Sequence, residues 1–120
     1  MIVPDGLRRY QTGKHLEAFI LLLLLEQPDH GGHLLTRLSA VLPEEWTVDS
    51  GRIYRLLREL ESTGCLQSAW VTEDTGAPTR QYRLTANGKH RLEDWAHEME
   101  IRQQSLASFL STYHQIIKRI

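Results

Sequence analysis

The sequence predicts a mostly α-helical domain with one small β-hairpin, followed by a single long C-terminal helix. Three observations support this fold class. Apolar residues recur with helical spacing in three segments before Gly64. Two short runs of strand composition follow, separated by a polar turn. Beyond Thr85, apolar residues repeat every seven positions and no proline interrupts them. This order of elements is that of a winged helix-turn-helix domain with a dimerisation arm.

Size and composition limit the class of protein. A chain of 120 residues forms one domain, or one domain with an appendage. The apolar fraction of 41% is sufficient for a small hydrophobic core. The single cysteine, Cys65, excludes an intrachain disulfide and is typical of a reducing cytoplasm. The apolar run 20–25 is far shorter than the roughly 20 residues of a membrane-spanning helix. We therefore expect a cytoplasmic protein without a membrane partner.

Charge is unevenly distributed along the chain. The net charge is −1, which argues against a non-specific nucleic-acid binder. Segment 76–91, however, contains Arg80, Arg83, Lys89 and Arg91 and no acidic residue, and four acidic residues follow within 93–100. A basic patch beside an acidic segment predicts a protein that contacts DNA with one end only.

Two helices are predicted before the most informative part of the chain. The first runs from about residue 15 to 27, after a weakly patterned segment 1–14. The second covers 34–42 and ends before a proline, and Asp29 or His30 lies where its N-cap belongs. The loop after it contains Trp46, which we expect to pack on the core.

The third predicted helix has two contrasting faces. Asp49 or Ser50 caps its start and Gly64 ends it. One face carries an apolar stripe that consists of Ile53, Leu56, Leu57 and Leu60. The opposite face presents Tyr54, Arg55 and Arg58. A short helix with leucines on one side and arginines on the other indicates contact with an anionic partner.

A hairpin and one long helix complete the domain. The strands are predicted at 66–72 and 80–84, with a turn at 73–78 that is too long for a two-residue hairpin. Thr85 is a suitable N-cap for a helix that runs to about Lys118. About 30 residues at 1.5 Å each give roughly 45 Å of helix, too long to bury its stripe on a domain of this size.

The stripe of the last helix therefore predicts a homodimer. The predicted dimerisation residues are Leu92, Trp95, Met99, Leu106, Phe109, Leu110, Tyr113 and Ile116, and Arg102 interrupts the series. We divide the chain into a DNA-binding domain at 1–88, with 1–14 as an N-terminal extension, and a dimerisation helix at 89–120.

Several motifs together resemble one known family. They are His30-Gly31 with Leu34, Ser50-Gly51-Arg52-Ile53-Tyr54, Leu60-Glu61, Gly64-Cys65-Leu66, Trp70-Val71, and the segment 76–88 that joins the hairpin to the last helix. The chain resembles the PadR family of bacterial and archaeal winged-helix transcriptional regulators over about residues 15–115. The single C-terminal helix is similar to that of the shorter subfamily. Within the family, segments 54–58, 82–85 and 94–96 are most similar to the branch of polyhydroxybutyrate-responsive repressors. The sequence departs from the family at Gly32, where most members have tyrosine, and at Arg52, where many have threonine.

A winged helix places its third helix in the major groove of double-stranded DNA. The predicted DNA-binding residues are Ser50, Arg52, Tyr54, Arg55, Arg58, Thr79 and Arg80. Arg52 and Arg55 are candidates to read guanine, whereas the others suit phosphates or, for the hairpin residues, the minor groove. Under the alternative, this face is merely solvated, with Arg55–Glu59 and Arg58–Glu61 ion pairs. Arg37 is either a phosphate contact or a plain surface residue.

The resemblance implies a homodimeric repressor on a palindromic operator. Some drug-sensing members have a tryptophan from each subunit at a flat ligand pocket, so Trp95 and Met99 are either ligand-binding or packing residues. A small-molecule or protein effector is therefore a possible partner. His90, Glu93 and His97 share a face, but nothing completes a metal site, and the sequence contains no readable catalytic constellation. We predict no cofactor and no enzymatic activity. The alternative function is a winged-helix module that binds proteins without contacting DNA.

Overall fold

The computed structural model describes the backbone of residues 5–44, 46, 48–72 and 76–120, and the side chains of these ranges from His15 onward. The elements follow in the order α1 (Asp5–Glu26), β1 (Asp29–His30), α2 (Gly31–Val41), α3 (Ser50–Ser62), β2 (Leu66–Val71), β3 (Thr79–Leu84) and α4 (Ala86–Arg119). The predicted fold class is confirmed. Turn residues 73–75, which the sequence analysis assigned to the hairpin loop, lie outside the described residues.

The three strands form one antiparallel sheet in the order β1-β3-β2. In the β2–β3 hairpin, hereafter the wing, Leu66 lies opposite Leu84 and Trp70 opposite Arg80. The two-residue strand β1 pairs with β3, with Asp29 opposite Tyr82. The sequence placed only a helix cap at Asp29 or His30, and it did not predict this strand. Two residues are too few to carry a strand pattern, and this strand exists because β3 supplies its pairing partner.

Helix α1 begins ten residues earlier than the predicted start at residue 15. The segment from Asp5 to Lys14 has no strong apolar period, which is why the sequence pattern missed it. Its leucine, arginines, glutamine and lysine have good intrinsic helix propensity. Extension of a helix that is already anchored by packing therefore requires little further stabilisation.

The predicted helix caps are confirmed. Asp49 Oδ1 accepts a hydrogen bond from the Gly51 N–H at 3.1 Å, and Thr85 Oγ1 accepts one from the Gly88 N–H at 3.1 Å. His30 Nδ1 accepts from the His33 N–H at 3.3 Å at the start of α2. Each cap satisfies an amide that has no partner within its helix.

The core lies between α1, α2, α3 and the base of the wing. Its most deeply buried side chains are Leu16, Ile20, Leu21, Leu34, Leu38, Ile53, Leu57 and Leu66. Tyr82 and Cys65 are also buried, and Trp46 packs partly buried against this cluster, as predicted. The apolar stripe of α3 faces this core, so its polar face points outward.

Helix α4 begins on this core and leaves it. Leu92 and Trp95 pack partly buried against the core cluster. Glu17 of α1 accepts hydrogen bonds from Arg91 Nε and Nη2 at 2.8 and 2.7 Å, and another from Trp95 Nε1. The bond to Glu17 raises the pKa of Arg91 above its ordinary value, against a smaller opposing effect of burial. These contacts fix the direction of α4 relative to α1.

Beyond Arg102, the hydrogen bonds and ring contacts of the described side chains stay within α4. Every side chain of residues 103–120, hereafter the arm, is exposed. These residues amount to roughly 27 Å of helix at 1.5 Å per residue, and the described molecule measures 64 × 30 × 20 Å. Within the described ranges, no helix is both long enough and apolar enough to cross a membrane.

Candidate nucleic-acid interface

The outer face of α3 has two sides that face different surroundings. Tyr54, Arg58 and Glu61 line a groove between α3 and the wing. Arg52 and Arg55 point to the other side of the helix, as its period of 100° per residue requires. Both of these arginines are exposed. The wing-side groove and the outer arginines are therefore adjacent but separate parts of one surface.

The arginines of α3 are not neutralised by carboxylates of the described chain. None of Arg52, Arg55 and Arg58 has an Asp or Glu oxygen within 4 Å among the residues that the structure describes. The alternative of a solvated face predicted Arg55–Glu59 and Arg58–Glu61 pairs, and neither pair forms. A helix face with three uncompensated cations is suited to an anionic partner.

The two predicted DNA-binding residues of the wing, Thr79 and Arg80, differ in their contacts. Thr79 is exposed at the start of β3. Arg80 Nε donates to Ser68 Oγ at 2.7 Å, and its Nη2 pairs with Glu61 Oε1 at 3.4 Å. The Arg80 guanidinium also lies 5.7 Å from the centre of the Trp70 ring. Arg80 is exposed, and its contacts hold the guanidinium against the end of α3.

Tyr54 depends on a glycine whose structural role the sequence did not predict. The Tyr54 ring packs against Gly31 at the start of α2, and a Cβ atom at that glycine would collide with the ring. The side chain of Tyr54 remains 43% exposed. Gly31 belongs to the His30-Gly31 motif that carries the family resemblance, and that motif was the available sequence signal.

Arg37 is not a plain surface arginine, so that interpretation was wrong, whereas the phosphate contact stays a prediction. Its side chain is only 12% exposed. The guanidinium donates to Asp29 Oδ2 at 3.0 Å, to the Leu23 carbonyl at 2.9 Å and to Glu26 Oε1 at 3.3 Å. The buried Asp29 carboxylate also contacts His33 Nδ1 at 2.6 Å. Arg37 thus joins α1, β1 and α2, a role that depends on tertiary contacts.

Trp95 packs on the core, and together with Met99 it also lines an open groove. Trp95 is bonded to Glu17 and lies partly buried on the core. With Phe19, Leu22 and Trp46, the two residues line an apolar groove of about 370 Å³ between α1, α4 and the loop after α2. The structure therefore shows that Trp95 is a packing residue. A ligand-binding role for Trp95 and Met99 in the groove stays a prediction.

A winged helix that presents arginines on its third helix, beside a hairpin with a further arginine, defines a DNA-binding regulator. Comparison with known sequences agrees. Residues 20–94 match the profile of the transcriptional regulator PadR-like family, and because this is more than half of the chain, the protein belongs to that family. The predicted family is confirmed. The resemblance to the polyhydroxybutyrate-responsive branch stays a prediction.

Similar proteins share most of the fold at modest sequence identity. A PadR family transcriptional regulator from Eggerthella lenta is 26% identical with a TM-score of 0.70, and the match covers 88% of this chain and 86% of that one. Bacillus subtilis PadR, whose crystal structure contains operator DNA, is 27% identical with a TM-score of 0.61, over 68% of this chain and 46% of that one. An uncharacterised protein of Lysinibacillus sphaericus is 25% identical over 91 residues, which are 72% of this chain and 84% of that protein.

Proposed function

We propose that this protein is a sequence-specific DNA-binding repressor that acts as a homodimer on a palindromic operator. The observation that carries the proposal is the exposed face of α3, on which Arg52, Arg55 and Arg58 lack carboxylate partners among the described residues. Membership of the PadR-like family and the similarity to a PadR protein that binds operator DNA support it.

In this proposal α3 enters the major groove and its two sides have different tasks. Arg52 and Arg55 read base edges, because arginine can donate two parallel hydrogen bonds to guanine. Ser50, Tyr54 and Arg58 contact phosphates, which set the register of the protein on DNA and carry no sequence information. Thr79 and Arg80 of the wing contact the phosphates, or the minor groove that borders the major groove occupied by α3.

In the proposed dimer, the arm forms the contact that brings a second α3 helix to the DNA. Its apolar side chains include Leu106 and Phe109, which are 63% and 67% exposed. Large apolar side chains in a continuous exposed stripe are typical of a surface that another chain covers. We infer that a second copy covers it, since a homodimer is the simplest symmetric solution. Two α3 helices held about one turn of DNA apart then match an inverted repeat.

Repression follows if the bound dimer blocks access to a promoter. A ligand or protein that alters the angle between the two arms would change the separation of the α3 helices and weaken binding. The groove beside Trp95 is where we place such an effector, because it lies next to the point where α4 leaves the core. A regulator of chromosomal DNA acts in the cytoplasm, where we place this protein.

One observation favours a second candidate function. The net charge is −1, which is unusual for a protein that binds DNA with much of its surface. The same α3 face would then bind an acidic protein segment. Dependence on salt separates the two, because DNA binding releases counterions and weakens steeply as salt rises.

The direct test is fluorescence anisotropy with a duplex taken from the protein's own upstream DNA, against an unrelated duplex, at two salt concentrations. We expect tight, selective and salt-sensitive binding. Arg55→Ala should weaken binding to the upstream duplex by about 1–3 kcal/mol. Arg119→Ala removes the same charge from the far end of α4 and should change nothing. If Arg55→Ala binds the upstream duplex as well as the parent does, α3 is not the reading helix.

A further inference from the structure

The groove between α3 and the wing carries an unexpected charge. It encloses about 650 Å³ and is lined by Arg58 from α3 and by Arg80 from the wing. Of the described residues that line it, Glu61 alone has a carboxylate. In the proposed complex this groove lies against DNA, which is a polyanion, yet its lining includes the Glu61 carboxylate. The role of this carboxylate therefore has to be explained.

Glu61 is bound to the cation of the wing by a closed ring of contacts. Ser68 Oγ donates to Glu61 Oε2 at 2.5 Å and accepts from Arg80 Nε at 2.7 Å. The Arg80 Nη2 atom closes the ring to Glu61 Oε1 at 3.4 Å. The side chains of Arg80 and Glu61 are 46% and 29% exposed, so solvent and ligands reach both.

The position of the pair places it beside the DNA backbone in the proposed complex. A single sugar–phosphate strand separates a major groove from the neighbouring minor groove. With α3 in the major groove and the wing at its edge, that strand must pass between them. The phosphates would then lie over Arg58 and Arg80, and over the carboxylate that already neutralises Arg80.

We propose that Glu61 is an internal competitor for DNA phosphate at Arg80. This inference rests on the DNA-binding function proposed above. In the protein without DNA, the carboxylate occupies the guanidinium in the way that a phosphate oxygen would, because both are anionic oxygens that accept from the arginine fork. A phosphate gains the full attraction of Arg80 only by displacing Glu61. Arg58 has no such competitor among the described residues.

The consequence concerns affinity for any duplex. Phosphate contacts supply most of the sequence-independent affinity of a DNA-binding protein. Glu61 lowers this contribution at Arg80 without touching the base-reading side of α3. It therefore reduces binding to the many non-specific sites of a chromosome by the same factor as binding to the operator.

Glu61→Gln tests this competition with little change of geometry. The amide has the shape of the carboxylate and still accepts one hydrogen bond, and Ser68 and Trp70 continue to hold Arg80 in place. The matched control is Glu59→Gln, which removes the same charge from the exposed opposite side of the α3 polar face. Each change is combined with Arg80→Gln, and thermal unfolding confirms that all variants remain folded.

Binding of each variant to an unrelated duplex is measured by anisotropy over a range of salt concentrations. We expect Glu61→Gln to tighten binding roughly two- to five-fold per protomer, the range of an exposed ion pair. The slope of log affinity against log salt should steepen by roughly 0.9 per protomer, as for one added phosphate contact. Both effects should disappear in the Arg80→Gln background, whereas any effect of Glu59→Gln should persist there.

Three results would overturn the proposal. If Glu61→Gln leaves binding unchanged or weakens it while the parent binds DNA in a salt-sensitive way, Glu61 only fastens the wing to α3, and the proposed function stands. If its gain survives the loss of Arg80, the effect is one of net charge. A parent protein that binds no duplex at low salt overturns this inference together with the proposed function.

Discussion

The two halves of α4 have the same heptad pattern and very different surroundings. In residues 86–102, Leu92 and Trp95 pack on the core and Glu17 of α1 holds Arg91 and Trp95. In the arm, residues 103–120, every side chain is exposed. The repeat of apolar residues therefore predicts a packing partner, and only the rest of the fold decides whether that partner is the same chain.

This difference sharpens the predicted division of the chain. The sequence predicted that 89–120 as a whole serves dimerisation. The first turns of α4 are occupied by α1, so we propose that the contact between subunits is made chiefly by the arm. Trp95 donates its indole N–H to Glu17 and packs partly buried on the core within the subunit, and it also lines the apolar groove.

The largest effect is expected from a charge placed in the arm. Leu106→Asp should raise the dimer dissociation constant more than a hundredfold, because an unpaired carboxylate at a buried interface costs about 3–5 kcal/mol. Analytical ultracentrifugation over a concentration series measures it. Ser108→Asp carries the same charge on the opposite side of the helix and should leave the dimer intact. Equal behaviour of the two variants would remove the arm from the interface.

A matched pair of leucine truncations tests the contrast between core and arm. Leu57 is fully buried, so Leu57→Ala should lower the free energy of unfolding by about 2–5 kcal/mol. Leu110 is 51% exposed in the single chain, and in the monomeric Leu106→Asp background Leu110→Ala should cost less than about 0.5 kcal/mol. Urea denaturation followed by circular dichroism gives both values. A large cost for Leu110→Ala in that background would mean that the arm packs on its own subunit.

The smallest effect concerns the contact that ties α4 to α1. Glu17→Gln should cost about 1 kcal/mol, because the half-buried carboxylate accepts charge-assisted bonds from Arg91 and a bond from Trp95. The comparison is Glu98→Gln, which breaks the pair with Arg102 within α4 and should cost about 0.3 kcal/mol. Thermal unfolding of both variants shows which substitution lowers the stability of the protein more. Equal costs would show that Glu17 does not anchor the helix.

Sequence reasoning succeeded where structure is specified locally. The caps at Asp49 and Thr85, the end of α3 at Gly64 and the amphipathic face of α3 all follow from residues within a few positions of one another. Strand composition predicted the wing, and the family resemblance supported its place beside α3. These features were sufficient to identify the arginine face.

Sequence reasoning failed where a partner lies far along the chain. The strand at Asp29 exists through β3, and Arg37 is occupied by groups of α1 and β1. Nothing near Arg80 in the sequence indicates that Glu61, nineteen positions away, neutralises it. Spacing along one helix predicted an Arg58–Glu61 pair instead, because such patterns contain no information about contacts between elements.

The most direct test of the central claim is selection of bound sequences from a pool of random duplexes by the unmodified protein. A dimer that reads DNA with two α3 helices predicts enrichment of an inverted repeat whose half-sites are centred about 10 base pairs apart. The Leu106→Asp variant, selected in parallel, should enrich weakly and without the repeat. Recovery of a pool indistinguishable from the starting one would contradict the account, because neither the arginines of α3 nor the arm would then select DNA.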